Sequence, residues 1–191
     1  MMELVLIALA YLIGSIPSGY LIARLYGIQD IRLHGSGNIG ATNVARILGT
    51  RFFFVVFLAD FLKAYLCVLC MQSIGVSQLS IMLSGLALIV GNGASIFLQF
   101  RGGKAVATSC GVILAWSPVL VAYVLIPWII TLWVTKRVGI ASGAGYIALP
   151  CFASCMPHAE LLVPCTLLIS LWGLFLHRSN IREFLTALVS L

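Results

Sequence analysis

The sequence HGSGNIGATN, residues 34–43, is a polar stretch between two long apolar runs, and we call it the first polar loop. Its ten residues include three glycines, two asparagines, a serine, a threonine and a histidine. Glycine permits positive φ angles and close approach of a ligand to the backbone. Successive free amides in such a loop make a concave site for an anion. With Arg32 before it and Arg46 after it, the loop is predicted to bind an anionic group, and a simple connector is the alternative.

The composition of the chain assigns the apolar runs to a membrane. Of 191 residues, 62% are hydrophobic and 8% are charged, whereas a soluble domain carries roughly 25% charged residues. The formal net charge is +6, spread over short connections, so an anionic small molecule is a more natural partner than a nucleic acid. The six cysteines lie in apolar runs, where cysteine behaves as a small hydrophobic residue.

Seven apolar segments are predicted to cross the membrane, since a spanning helix needs about 20 mostly apolar residues. They are residues 3–26, 43 or 51–72, 78–99, 103–116, 119–135, 139–156 and 160–177, of which the fourth is short. Gly14, Pro17 and Gly19 should kink the first span. The predicted fold is therefore all-α and polytopic, with residues 1–191 forming a single integral-membrane domain.

The basic residues predict the orientation of the chain. With seven spans, ten of the eleven Lys and Arg residues fall on one side, and such an excess marks cytoplasmic loops. The N-terminus should then lie outside and the C-terminus in the cytoplasm. The exception is Lys63, three residues after Asp60 within the second span. Because residues i and i+3 share a helix face, we predict an ion pair, which either neutralises a charge in the membrane or helps to shape the site.

Further polar segments should meet at the cytoplasmic face. Arg101-Gly-Gly-Lys-Ala105, the second polar loop, leads into the short fourth helix, and helix N-termini suit phosphate. The seventh span ends in His177-Arg-Ser-Asn-Ile-Arg182, and Ser142 follows the basic connection after the fifth span. Carboxylates, the usual ligands of Mg²⁺, are scarce here, so we expect no metal and no cofactor. These segments predict a site for one or two phosphate groups.

Familiar motifs of soluble enzymes do not explain the first polar loop. The spacing of Gly35, Gly37 and Gly40 matches the dinucleotide-binding fingerprint. That motif requires a strand before it and a helix after it, which the membrane-length flanks exclude. The chain also lacks a Gly-x-Ser-x-Gly nucleophile elbow, and no histidine is followed five residues later by an aspartate.

Three motifs carry a family resemblance: GSGNIGATN at 35–43, GGKAVAT at 102–108 and HRSNIR at 177–182. In this order they resemble the signatures of the acyl-phosphate-dependent glycerol-3-phosphate acyltransferases of bacterial membranes, and GSIPSGY at 14–20 extends the likeness. The resemblance implies transfer of a fatty acyl group from acyl phosphate to the sn-1 hydroxyl of glycerol 3-phosphate. The products would be lysophosphatidic acid and phosphate, in the first step of phospholipid synthesis. The protein would act in the bacterial cytoplasmic (inner) membrane, surrounded by lipid, with a cytoplasmic active site and no obligate protein partner.

The resemblance also assigns roles to individual residues. The implied catalytic residues are Ser36, Lys104 and His177. The implied substrate- and phosphate-binding residues are Gly37, Asn38, Thr42, Asn43, Arg46, Gly102, Gly103, Ser142 and Asn180. Lys104, Arg46 and the two Gly102–Gly103 amides would hold phosphate, and either His177 or the substrate phosphate would accept the hydroxyl proton. The chain departs from the family pattern at Ile39, Ala64, Asn92 and Ala105, where proline, glycine, histidine and glycine are usual, and at Gly139, where serine is common.

A membrane transporter of small organic phosphates is the alternative function. Broken helices and glycine-rich loops near basic residues also occur in transporters, which bind their substrates near the membrane midplane and often contain paired repeats. Here the polar motifs are predicted to lie at one face, and no internal repeat is visible. The sequence therefore favours the acyltransferase.

Overall fold

The computed structural model describes residues 1–189, apart from the side chain of Leu188, and these residues form helices and connections without a strand. The helices are α1 (Met2–Ser15), α2 (Ser18–Leu25), α3 (Ala41–Leu48), α4 (Arg51–Ser73), α5 (Gln78–Gly93), α6 (Val106–Trp116), α7 (Pro118–Thr135), α8 (Val138–Ala153), α9 (Ala159–Leu176) and α10 (Arg178–Val189). Two short 3₁₀ turns, Ile31–Leu33 and Ile96–Leu98, lie in connections. The chain divides into a first unit, Met1–Ala115, and a second unit, Trp116–Leu191, and the single domain stays a prediction.

Five segments of the described chain are long and apolar enough to cross a membrane. They are Met2–Leu25, Arg51–Ser73, Gln78–Leu98, Pro118–Thr135 and Ala159–Leu176, which correspond to five of the seven predicted spans. The other two predicted spans contain α6 and α8, with 11 and 16 residues. At 1.5 Å per residue these helices are about 16 and 24 Å long, short of a hydrocarbon core of about 30 Å. The all-helical, multi-pass architecture is confirmed, and the count of seven stays a prediction.

The outward helix faces are apolar, as a membrane requires. In α7 only 6% of the residues are buried, and the side chains of Ile126, Ile129 and Trp133 are all more than half exposed. In water such a surface would cost about 25 cal/mol per Å², whereas lipid tails are as apolar as these side chains. The surface of α7 is therefore suited to hydrocarbon.

Helices α1 and α5 cross closely at two glycines. Gly14 lies against the backbone of Leu88, and Gly91 lies against the backbone of Ser15, so a Cβ on either glycine would overlap the opposite helix. Small residues at a crossing let two membrane helices approach, and hydrogen bonds between the helices add to the packing. The Ser95 hydroxyl, just beyond α5, donates to the Ser15 carbonyl at 2.6 Å. This crossing fixes the C-terminal end of α5, on which the second polar loop packs.

The first span is interrupted at Pro17, as predicted. Helix α1 ends and α2 begins around Ile16 and Pro17, because proline has no amide hydrogen and disfavours helical geometry in the residue before it. The Ile16 carbonyl accepts a hydrogen bond from Nζ of Lys63 at 2.6 Å. Nζ also lies 2.7 Å from Oδ1 of Asp60, which confirms the predicted ion pair within α4.

Candidate functional site

The first polar loop folds around the side chain of Asn43, which is only 1% exposed. Its Nδ2 donates to the carbonyls of His34 and Asn38 at 3.0 and 2.8 Å. Its Oδ1 accepts from the Ser36 amide at 2.8 Å and from Nη1 of Arg46 at 3.3 Å. Both amide protons and both acceptor positions of the side chain are therefore used. In this structure Asn43 holds the loop together, and its predicted contact with phosphate stays a prediction.

Two glycines allow the loop to take this shape. Gly35 and Gly37 have φ angles of +60° and +70°, in the left-handed region that glycine enters without steric cost. A Cβ on Gly35 would also overlap Oδ1 of Asn43. The side chain of Asn38 then accepts from the Gly40 amide at 2.8 Å, in a turn typical of asparagine that leads into α3. The backbone is thereby set by internal hydrogen bonds.

Several hydrogen-bond donors lie on the first polar loop and at the start of α3. Ser36 and Thr42 are exposed, and Thr42 lies in the first turn of α3, which starts at Ala41. The amides of a first turn have no acceptor within their own helix, and that end of a helix carries partial positive charge. Arg46, one turn further along α3, is exposed and adds a full positive charge. Hydroxyls, amides and a guanidinium in one place can bind the oxygens of a phosphate group.

Arg32, the other arginine beside the first polar loop, is already neutralised. Its Nη2 lies 2.7 Å from Oδ2 of Asp30, and its Nε donates to Oδ1 at 2.9 Å. Hydrogen bonds from Arg32 lower the pKa of Asp30 to about 2. A depressed carboxyl pKa means that the pair stabilises the fold above the ordinary aspartate range and is lost as the pH falls towards 2. The Asp30 carboxylate therefore offsets the charge of Arg32 on this side of the first polar loop.

An apolar cluster lies beneath the first polar loop. The loop contributes Ile39, which is 4% exposed. This cluster also contains a residue from the turn before the second polar loop, so both loops rest on the same apolar base. Its buried members are Ala23, Ile31, Ile39, Val44, Phe52, Val56 and Leu98. The isoleucine that stands in place of the usual family proline thus fills part of this base.

The second polar loop packs on the C-terminal end of α5. The amides of Gly102 and Gly103 donate to the carbonyls of Gly93 and Asn92 at 3.1 and 2.9 Å. Both amides therefore have backbone acceptors in this structure, and their predicted contact with phosphate stays a prediction. A Cβ on Gly102 would overlap the backbone of Asn92 and Gly93, so the glycine is needed for the close approach of two chain segments.

The two polar loops are neighbours within the first unit. A Cβ placed on Gly103 would lie 3.5 Å from Cγ1 of Ile39, a normal van der Waals distance. Lys104 comes next in the chain and is partly buried, two residues before α6. The first unit therefore brings the backbone of Lys104 next to the loop that carries Ser36, and their functional roles stay predictions.

Ala105, which follows Lys104, has a φ angle of +56°. An L-residue pays roughly 1–2 kcal/mol for this conformation, and glycine does not. We expect Ala105→Gly to raise the free energy of unfolding by up to about 1 kcal/mol, less than the full strain because glycine loses more entropy on folding. Thermal unfolding in detergent measures the effect. The matched control is Ala107→Gly, within α6, which should lower stability by about 1 kcal/mol; a loss at both positions would contradict the strain at Ala105.

Ser142, in the second unit, is satisfied by its own surroundings. It is 3% exposed, and its Oγ donates to the Val138 carbonyl at 3.0 Å. The same oxygen accepts from Nε1 of Trp128 at 3.4 Å. A serine hydroxyl has one proton to donate, and here that proton is used within α8. In this structure the Ser142 hydroxyl is bonded within the second unit, and its predicted contact with phosphate stays a prediction.

His177 ends α9 and is 1% exposed. Its Nδ1 lies 2.8 Å from the Gly173 carbonyl, which can only accept, so in the neutral ring Nδ1 carries the proton and Nε2 is the basic nitrogen. The ring centroid is 5.7 Å from that of Tyr146. Asn180 lies in α10, and a Cβ on Gly139 would approach its Nδ2 to 2.6 Å. Glycine at 139, in place of the usual serine, therefore leaves room for the Asn180 side chain.

Sequence reasoning missed the part that Asn92 takes in the site. The carbonyl of Asn92 holds the second polar loop, and its Nδ2 donates to Oδ1 of Asp60 at 3.2 Å. The only signal in the sequence was the departure from a family histidine at this position. The link is a contact between residues 32 positions apart, which neither spacing nor composition predicts.

No metal-binding group is found in the described part of the chain. Nowhere among residues 1–189 do three or more His, Cys, Asp or Glu side chains come together in a way that could hold an ion. The six cysteines, all within that range, are free thiols. The absence of a metal or cofactor from the reaction stays a prediction.

Fold and site together define a class: an all-helical, multi-pass membrane protein whose first unit brings two glycine-rich loops, Arg46 and Lys104 into one polar region. The chain belongs to the glycerol-3-phosphate acyltransferase family, because the family model of that description matches residues 4–187. The family and enzyme class predicted from the three motifs are thereby confirmed, in preference to the transporter.

Individual relatives cover nearly the whole chain. The glycerol-3-phosphate acyltransferase of Geobacter sulfurreducens is 42% identical over 181 residues, which are 95% of this chain and 93% of that protein. The one from Desulforudis audaxviator is 43% identical over 95% of this chain and 91% of that protein. A crystal structure of PlsY (YgiH), an integral membrane glycerol 3-phosphate acyltransferase in its glycerol 3-phosphate form, matches with a TM-score of 0.89 at 35% identity, covering 98% of this chain and 94% of the other. Its lysophosphatidic acid form matches with a TM-score of 0.87 at 36% identity over 98% of this chain and 93% of the other.

Proposed function

We propose that this protein transfers a fatty acyl group from acyl phosphate to the sn-1 hydroxyl of glycerol 3-phosphate, giving lysophosphatidic acid and inorganic phosphate. The family supports the acceptor, and the lysophosphatidic acid form of the similar crystal structure supports the product. The observation that carries the proposal is the Asn43-centred loop, which collects donors for phosphate beside the backbone of Lys104. Both substrates bear phosphate, and both need such a site.

The reaction does not require a covalent enzyme intermediate. The sn-1 hydroxyl oxygen attacks the carbonyl carbon of the acyl phosphate, the bond from that carbon to the phosphate oxygen breaks, and phosphate leaves with the bonding electrons. The hydroxyl proton passes to His177 or to a phosphate oxygen. Because the donor is already activated, catalysis rests on orientation of the two substrates and on stabilisation of negative charge that develops on oxygen.

We assign the charge-stabilising role to residues of the first unit. Lys104 and Arg46 bind phosphate oxygens, and the hydroxyls of Ser36 and Thr42 donate hydrogen bonds to the substrates. Gly37 and Asn38 give the first polar loop its shape. Gly102 lets the second loop approach α5, and the Gly103 amide binds the Asn92 carbonyl. These assignments combine the donor chemistry described above with the family's motif positions.

His177 and Asn180 are proposed to orient the glycerol hydroxyl, and the third family motif is the support for this role. If Nε2 of His177 takes the proton, His177→Gln should lower kcat by about 10²–10⁴-fold, and the acid limb of the pH–rate profile should disappear. If the substrate phosphate takes it, the loss should be smaller and the acid limb should persist. Steady-state kinetics from pH 5 to 9 (about the range where histidine titrates) distinguish the two. His158→Gln is the control, since His158 is exposed and its Nδ1 lies 3.6 Å from Oε1 of Glu160; equal effects of both variants would contradict any special role of His177.

The donor is tested with the purified protein in detergent. Labelled glycerol 3-phosphate is supplied with acyl phosphate or with the acyl thioester of coenzyme A. We expect lysophosphatidic acid from acyl phosphate alone, with phosphate released in equal amount. Product formed from the thioester but not from acyl phosphate would contradict the proposal that acyl phosphate is the acyl donor.

We further propose seven crossings, an outer N-terminus and a cytoplasmic active site in the bacterial inner membrane. The support is the distribution of basic residues, ten of eleven on one predicted side, together with the positive-inside rule. Single cysteines at Ser36 and Ser73, in a variant without the native cysteines, should react with an impermeant maleimide from opposite sides of the membrane. Reaction of both from the same side would contradict this topology.

A further inference from the structure

A buried polar cluster in the first unit joins three separate segments. Asp60 on α4 accepts at the same Oδ1 atom from Nζ of Lys63 at 2.7 Å and from Nδ2 of Asn92 at 3.2 Å. Lys63 donates as well to the Ile16 carbonyl at 2.6 Å. Asp60 and Asn92 are only 8% and 6% exposed. Charged side chains within spanning helices are costly and mark functional positions by default, so the cluster calls for a reason beyond packing.

One side of the cluster leads to the second polar loop. The Asn92 side chain is held by Asp60, and the carbonyl of the same residue accepts the amide of Gly103 at 2.9 Å. The next carbonyl, that of Gly93, accepts the amide of Gly102 at 3.1 Å. Asp60 is therefore two hydrogen bonds away from the residue that precedes Lys104.

The other side leads to the first polar loop. The Ile16 carbonyl held by Lys63 lies at the break between α1 and α2, so this bond fixes the point at which α2 departs. Two residues into α2, Gly19 lies so close to the Ile39 carbonyl that a Cβ would overlap it. Helix α2 thereby supports the loop that holds Ser36, and Lys63 sets the start of that helix.

We infer that Asp60, Lys63 and Asn92 are positioning residues that hold the two polar loops in register with each other. None of the three is assigned to touch a substrate. Their effect on turnover rests on the proposed function, whereas their effect on the loops is a property of the fold alone. The test therefore needs one readout for each.

Hydrogen–deuterium exchange of the folded protein in detergent measures the loops directly. Asn92→Leu removes the donor to Asp60 and leaves the Asp60–Lys63 pair intact, and Asp60→Asn removes the charge that both partners share. We expect exchange of the Gly102 and Gly103 amides to accelerate about tenfold in each, since one lost hydrogen bond of a buried network changes local opening by about that factor. The kcat/KM for glycerol 3-phosphate should fall by about the same factor. Asn92→His can donate to Asp60 through a ring N–H. In this variant the exchange rate of the two amides and kcat/KM should be closer to the wild-type values than in Asn92→Leu.

Glu3→Gln is the matched control. Glu3 accepts hydrogen bonds from the Ser77 and Ser80 side chains, so it also links α1 to the start of α5, at the end far from the loops. We expect it to lower the melting temperature without changing exchange at residues 101–105 or kcat/KM. Unchanged exchange at these residues in Asn92→Leu, with only a fall in melting temperature, would overturn the inference. If the wild-type protein is inactive with acyl phosphate but Asn92→Leu still accelerates exchange at residues 101–105, the inference stands and the proposed function is refuted.

Discussion

Lys104→Ala should lower kcat by about 10²–10³-fold, the usual cost of removing one group that stabilises charge developing in the transition state. The side chain provides a positive charge next to Gly103, whose Cα lies beside the first polar loop. Alanine keeps the backbone of the second polar loop but removes the only full charge between that loop's glycines and α6. The loss should appear in turnover with saturating glycerol 3-phosphate, measured as release of lysophosphatidic acid.

The control for Lys104→Ala is Lys136→Ala. Lys136 is exposed at the end of α7, with Nζ 5.5 Å from the centre of the Trp133 ring, and it has no assigned role in the reaction. Both variants should elute as monodisperse protein and melt within a few degrees of the wild type. Near-normal turnover in Lys104→Ala would remove the phosphate-binding role of this residue, and equal losses in both variants would show that the effect is general electrostatics.

Asn43→Asp should disrupt the first polar loop, although the two side chains have almost the same shape. A carboxylate cannot donate, so the carbonyls of His34 and Asn38, now bonded at 3.0 and 2.8 Å, would face a negative charge. Leaving buried polar groups unsatisfied costs about 1–3 kcal/mol each, and the nearby Arg46 offsets only part of this. We expect the free energy of unfolding to fall by about 2–4 kcal/mol and kcat/KM to fall by about 100-fold.

The matched control for Asn43→Asp is Gln29→Glu, which makes the same amide-to-carboxylate change at an exposed position outside the loop. It should leave kcat/KM within about twofold of the wild-type value and the free energy of unfolding nearly unchanged, because isolated surface charges contribute little. Chemical denaturation and steady-state kinetics give both quantities. A stable and fully active Asn43→Asp protein would contradict the assignment of Asn43 as the centre of the loop.

The sequence by itself determined the features that depend on composition and on near neighbours along the chain. Long apolar runs require a membrane, Pro17 breaks the first span, and the spacing of Asp60 and Lys63 places both on one helix face. The three polar motifs were enough to predict the family, because each retains its residue types and order. Helix propensity, proline geometry and i, i+3 contacts act over a few residues, so they can be predicted without tertiary information.

Only the tertiary structure decided which polar groups have partners. Asn43 looks like a ligand residue in the sequence but uses its whole amide within the loop. The glycine amides of the second polar loop are bonded to the end of α5. A polar side chain or amide binds a ligand or another part of the protein according to what the fold places beside it. For the second polar loop, that neighbour comes from a different helix, and residue types and spacing along the chain do not specify it.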